Sequence, residues 1–406
     1  MRETAKLSLI AVLIVTVFTI AANSPSASSG HYVVTNENAE GSNSNAATVF
    51  KLGGSRLNPV LNVLNTLSTG GLPSYSTVPN VQLVRNGSDI CLFLTHSESV
   101  DVAAFVYPAL SEVGTYTDPS VNVTWPSLSL IAHGQYLFVG YNDTYNGGYY
   151  LASWGVESGC KLTLLNTVHI DNLNLNDLAV SPNGQTLVVT YSNTASGIFD
   201  SFSIQPGGSF VEHGPYFTMN SSQVIGVDIT KDGKFSIIGI RQDMGSPSTD
   251  MLAVLPIDPD GTLGSPTYFS ENAIAGYSNY TAYVALSPDE RFLYVDYGTD
   301  GFHTTFPVTT TLNFTENPLS ITYTGCSTTL KDSDAGLQAS GMATASPSGS
   351  GGALYVSEYF GSNANAVALL AIDSTTGCTT EAPSSPFYTG QSGRLNSIVA
   401  WPPRPF

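Results

Sequence analysis

Basic side chains are scarce in this sequence, 13 Lys and Arg against 31 Asp and Glu, so the few cations standing among polar loop residues are natural candidates for chemistry at carbonyl oxygen. Hydrolysing a carbonyl compound requires a general base, plus a cation or donor where negative charge grows on oxygen. His96 or Glu98 could act as that base, and Arg241 with Arg394 could steady the oxyanion. Asn36, Asp143, Asp243, Glu358, Arg394 and Asn396 complete the set as candidate ligand-binding residues, and Glu37, Asn142, Asp171, Asn176, Asp177, Tyr280 and Asp296 share the same kind of position. Arg241 stands where corresponding segments carry Thr, Tyr or Ser. Asp243, two residues on, could simply pair with it, and a surface ion pair contributes little. The competing reading is a wet rim of polar loop residues with no chemistry.

Sharper motifs are absent. The sequence contains no G-x-S-x-G elbow, no H-E-x-x-H, no phosphate-binding lysine loop and no dinucleotide-binding glycine pattern. Its six histidines are scattered, so no metal centre and no cofactor is expected. An Asp- and Asn-rich rim would offer oxygen ligands to calcium, although acidic turns such as 258–261 are equally explained by hairpin geometry. Triplets of the form N-x-S/T begin at Asn86, Asn122, Asn142, Asn220, Asn279 and Asn313. They suit glycosylated loops in a eukaryote and arise by chance in a bacterium rich in Asn, Ser and Thr.

Positioning these side chains falls to a recurring hairpin: a strand of small apolar residues, a polar turn with Pro or Gly, and a strand rich in Tyr, Phe, Val and Leu. Copies begin at Val81 (VQLVRNGSDICLFLT), Leu128 (LSLIAHGQYLFVGY), Leu178 (LAVSPNGQTLVVTY), Val227 (VDITKDGKFSIIGI), Val284 (VALSPDERFLYVDY) and Ala343 (ATASPSGSGGALYVSEY). Each is followed by a third apolar strand, as in 252–257, a turn, and a more polar fourth strand. A spacing of roughly 45 to 60 residues fits one four-stranded propeller blade per copy. The ends supply a seventh blade: Ser397 to Trp401 reads as a first strand, and HYVVTNEN from His31 as its missing second strand. Pairing the two closes the ring and removes the exposed edges of an open array. The expected fold is therefore all-β, a seven-bladed propeller of antiparallel blades, with six or eight blades as the alternatives. In a propeller, residues just after the second strand and just before the first share one face with the central channel, and the candidates above fall at those positions.

YVVTNEN, LSPDERFLYV, VSPNGQTLVV and the ending SSPFYTG resemble the seven-bladed lactonase-like propellers, including the bacterial YVTN-repeat surface proteins. The resemblance spans essentially the whole chain after its leader, and its motifs mark strands and turns. It implies three kinds of relative: hydrolases of 6-phosphogluconolactone, lactone-forming muconate enzymes, and propellers without assigned chemistry. Departing from the first of these, the chain lacks the Arg and Lys cluster that phosphate recognition wants.

Composition narrows the setting. Arg2 and Lys6 precede an apolar run from Leu7 to Ala22 and a small, polar stretch from Asn23 to Gly30, the pattern of a secretory signal peptide. The run is short for a membrane span, which needs roughly 20 residues; an uncleaved anchor is the alternative. The expected organisation is a signal peptide and leader at 1–27 and a single propeller at 28–406, secreted, periplasmic or at the cell surface, with no membrane span after cleavage. A net charge of −18 argues against nucleic acid as a partner. Of the four cysteines, Cys326 and Cys378 fall on adjacent blades and are the favoured disulfide, while Cys91 reads either as bonded or as a free core residue. Two functions follow as expectations. One is an exported interaction module holding a small molecule, glycan or protein; the other is a lactonase-like hydrolase opening a small neutral lactone at the channel mouth.

Overall fold

The computed structural model describes residues 30–38, 46–55, 58–68, 80–95, 101–107, 109–121, 126–143, 148–171, 174–192, 196–220, 222–242, 251–270, 280–298, 308–330, 339–345, 352–358, 365–391 and 394–402. The leader read at 1–27 lies outside them. Their strands form seven antiparallel sheets arranged as a seven-bladed propeller. Blades 1 to 6 begin with the inner strands Val81–Asn86, Pro126–His133, Asn174–Val180, Ser222–Ile229, Tyr280–Leu286 and Ala339–Ala345, each followed outward by its next strands in chain order. Blade 6 carries an extra short strand, Phe387–Tyr388, paired with Ala366–Ile372.

Blade 7 is the split one. Its inner strand, Arg394–Trp401, comes from one end of the described chain, and its other three, Tyr32–Asn38, Ala46–Ser55 and Asn58–Ser68, come from the other. Tyr32 pairs with Trp401, Val34 with Val399 and Asn36 with Ser397. The register follows from alternation: Val33 and Val34 are both fully buried but face opposite neighbours, Val33 toward blade 6 and Val34 toward blade 1.

Each of the seven blade interfaces has its own apolar cluster among the described residues. Between blades 4 and 5, for example, Ile237, Leu252 and Val254 pack on Leu293, Val295 and Leu312. A side chain of this kind contributes roughly 1.5–3 kcal/mol when fully buried. This explains why strands so rich in aromatic and aliphatic residues alternate poorly: both faces of a middle strand meet another blade.

Two disulfides each tie a blade to the next. Cys326 on the outer strand of blade 5 bonds Cys378 in a turn of blade 6, with Cα atoms 5.5 Å apart. Cys91 is not free, as one of its two readings had it: it bonds Cys160, in the short 3-10 turn that follows the third strand of blade 2, at a Cα separation of 5.3 Å. Polar clips do the same work. Asp177 Oδ2 accepts the Val227 amide at 3.0 Å, Asp228 Oδ2 accepts the Leu286 amide at 2.8 Å, and the Thr344 hydroxyl donates to the Leu286 carbonyl at 2.9 Å.

Candidate functional site

All seven inner strands contribute to one central channel with a volume of about 240 Å³. Its wall is mainly apolar on blades 5 to 7, where Val284, Ala285, Met342, Ala343, Ile398 and Val399 face it. Blades 3 and 4 place two carboxylates, Asp177 and Asp228, on the opposite side. Among the described residues, no Lys or Arg lines the channel. Burial is the main cause that lifts the Asp177 carboxyl to about 8; the negative charge of Asp228 adds to it, and the Val227 and Leu178 amides oppose it. The wall therefore holds a carboxyl that keeps its proton at neutral pH within reach of a second acidic group.

Strand register gathers the sequence-predicted residues on one rim. Asn38 lies opposite Arg394, Asp143 opposite Pro126, Gln223 opposite Arg241 and Ala339 opposite Glu358, each where a second strand ends and its inner strand begins. The backbones of Asn36, Asp143, Arg241, Glu358, Arg394 and Asn396 thus sit around the same face. Side chains of Asp143, Arg241, Glu358, Arg394 and Asn396 lie outside the described residues, as do His96, Glu98 and Asp243 entirely.

Inner strands also bulge close to this rim. The register slips between Asn36 and Glu37 opposite Asn396, at Asn176 between Leu175 and Asp177, across 225–226 in blade 4, at Ala282 in blade 5 and at Ser340 in blade 6. A bulge adds one residue, breaks the ladder locally and re-aims a side chain. Repetition in five blades marks the rim as the irregular end of an otherwise regular barrel of inner strands. Asn176 shows one result: its amide donates to the Val224 carbonyl of the next blade.

Asn36 and Glu37 were expected as exposed rim groups, and the structure buries both to 1% exposure. The Asn36 amide reaches across to the Thr95 carbonyl of blade 1 at 3.4 Å, leaving Oδ1 without a hydrogen-bond partner among the described residues. Glu37 turns toward blade 6. Its Oε1 accepts hydrogen bonds from Thr48 at 2.6 Å and Thr35 at 3.4 Å, and Thr389 of blade 6 stands beside the carboxyl. Burial raises its carboxyl to about 7 against the opposing pull of the Thr48, Thr389 and Thr35 hydroxyls. Asp296 is likewise interior, fully buried opposite Tyr283 and Thr309, because the alternation of FLYVDYG puts it on the same face as Phe292 and Tyr294, toward blade 6 and not at the rim. Asp228 was missed from the sequence. Its only signal is a charge inside VDITKDG, at a place where LAVSPNG and VALSPDE carry Ala.

Among the described residues, no group of three or more His, Cys, Asp or Glu side chains converges as a metal site. No family profile matches the chain, and no curated protein matches it in sequence. Solved structures do. A Bacteroides fragilis protein named provisionally as a 6-phosphogluconolactonase aligns at 13% identity with a TM-score of 0.65, over 92% of this chain and 98% of its own. The periplasmic gluconolactonase PpgL of Pseudomonas aeruginosa aligns at 14% identity with a TM-score of 0.62, over 91% and 99%. A Lactobacillus plantarum protein aligns equally well at 14% and 0.62. Their shared feature is the fold. In this seven-bladed propeller all seven blades line the channel beneath the bulged rim, so a ligand meeting the ring on its axis meets them.

Proposed function

We propose that the protein is an exported propeller that binds a small, uncharged ligand where the central channel opens on the bulged rim. One observation carries this reading: the channel wall pairs Asp177 and Asp228 with an apolar far side and presents no Lys or Arg among its described residues. A phosphate or carboxylate group entering it would meet the Asp228 carboxylate and no bidentate Lys or Arg partner among the described residues. A volume of about 240 Å³ suits a single small ring. Export accords with two inter-blade disulfides, which persist in oxidising compartments.

A second reading, hydrolysis of a neutral lactone, is favoured by the gluconolactonase named among the structural neighbours. In it, water adds to the lactone carbonyl carbon, the ring C–O bond breaks and a hydroxy acid leaves. His96 or Glu98 would take the water's proton and return it to the departing ring oxygen, and Arg241 would face the oxyanion. Both readings meet in one assay, acid release and binding measured together on a panel of neutral lactones. Acid release above the buffer rate, lost in Arg241→Ala and His96→Ala, supports the hydrolase; saturable binding without acid release supports the binding module; neither removes both.

A further inference from the structure

The polar side chains of the channel wall among the described residues are Gln82, Asp177, Asp228, Tyr283, Thr344 and Ser397. Most of them are already engaged in holding the ring together. Asp177 Oδ1 accepts the Leu178 amide at 2.8 Å and Oδ2 the Val227 amide at 3.0 Å. Asp228 Oδ1 accepts the Ile229 amide and Oδ2 the Leu286 amide, both at 2.8 Å. Thr344 gives its proton to the Leu286 carbonyl, and Tyr283 has an interaction of its own. Gln82 and Ser397 differ from these: no side-chain hydrogen bond joins either to another described residue.

Gln82 reaches the channel by alternation. On the inner strand of blade 1, Val81 and Leu83 enter the apolar cluster against blade 7, which leaves Gln82 half-buried on the other face. In the repeated hairpin it holds the place of Asp228 in VDITKDG and of Ala285 in VALSPDE, and all three line the channel. Ser397 stands on the inner strand of the adjoining blade 7. The unclaimed hydrogen-bonding groups therefore lie on blades 7 and 1, across the ring from the clipped acids of blades 3 and 4, while blades 5 and 6 offer Val284, Ala285, Met342 and Ala343.

A primary amide is particular about what it binds. Gln82 presents N–H donors beside a carbonyl acceptor in one plane, and rotation about its last bond presents them in either order. A partner that answers both at once carries an acceptor beside a donor on a single edge. A cyclic amide does so, because its ring holds C=O and N–H cis and side by side. A lactone of the same size does not: its ring oxygen would confront the Gln82 carbonyl, acceptor against acceptor.

We propose that Gln82 selects the channel's ligand by pairing both groups of its amide with the cis N–H and C=O of a small cyclic amide. The ring N–H donates to Gln82 Oε1, and the ring carbonyl accepts from Gln82 Nε2. Ser397 adds a hydroxyl on the same side of the wall, and the ring's methylene groups face its apolar part. This selection rests on the channel being the ligand site.

The test is a ligand-observed NMR titration of the full-length protein with three rings. They are δ-valerolactam, N-methyl-δ-valerolactam, which keeps the carbonyl and lacks the N–H, and δ-valerolactone. The expected result is saturable binding of the lactam, at least about tenfold tighter than either of the others, because each of those leaves the Gln82 acceptor unanswered. Gln82→Leu, its fold checked by a circular dichroism melt, should bind all three alike, and the wild-type comparison stands whether or not that variant folds. Equal wild-type affinity for lactam and lactone, or the full preference kept in folded Gln82→Leu, overturns the selection by Gln82 while saturation itself still supports the channel as the site. Saturation by none of the three overturns both.

Discussion

At the scale of single residues, buried carboxyl groups set the protein's response to pH. Glu37 has an ordinary value near 4.5 and a folded value of about 7. Between the two, the folded chain holds a proton that the unfolded chain has released, so stability falls as pH rises through that window. Asp177, lifted to about 8, acts in the same direction. Replacing the acid by its amide removes the charged form that burial opposes. Denaturant midpoints of Glu37→Gln should therefore change less between pH 4.5 and 7 than those of the wild type, by up to roughly 3 kcal/mol across the window; parallel curves would contradict the burial account. The sequence named Glu37 as a rim residue but not as a buried one. Its burial depends on Thr48 of the neighbouring strand and Thr389 of blade 6, which come together only through ring closure.

Blades and their links form the next scale. Cys91 and Cys160 are both fully buried, whereas Cys326 and Cys378 are half-exposed. A mild reductant under native conditions should open Cys326–Cys378 first, with the two thiols read by alkylation and mass mapping; simultaneous reduction of both bonds would mean that the first interface opens as readily as the fifth. Removing Cys326–Cys378 by a Ser pair should cost about 2–4 kcal/mol. Gly377 tests the same joint without chemistry: its φ is +70° and a β-carbon would run into the Phe292 ring of blade 5, so Gly377→Ala should lower stability by about 1–3 kcal/mol in chemical denaturation. Hairpins were legible in the sequence because SPNG, KDG and SPDE turns are local and chemically explicit. Cys326–Cys378 was legible because both residues fall in countable blade positions. Cys91–Cys160 was open because Cys91, inside an apolar strand, reads equally well as a free core residue. The rim bulges were silent because adding one residue near a strand end changes neither composition nor period.

The whole ring depends on one strand pair drawn from distant parts of the chain. YVVTN signalled that pairing by being a second strand with no first strand before it, and Tyr32 to Asn36 lie where it required, beside Ser397 to Trp401. A proline at Val399, opposite Val34, would remove a ladder hydrogen bond within that pair. Val399→Pro should lower the thermal midpoint by the equivalent of about 3 kcal/mol or more, and an unchanged melt would mean that closure is dispensable. How the ring is used was less legible, since strand and turn motifs encode architecture and the candidate base His96 follows its hairpin motif at a position that no repeat constrains. The most direct measurement is calorimetric titration of the full-length protein with an uncharged gluconolactone and with its 6-phosphate. A channel wall that carries Asp177 and Asp228 and no Lys or Arg among its described residues predicts saturable binding of the uncharged ring and at least about tenfold weaker binding of the phosphorylated one. Equal or tighter binding of the phosphate, or no binding of either, would contradict it.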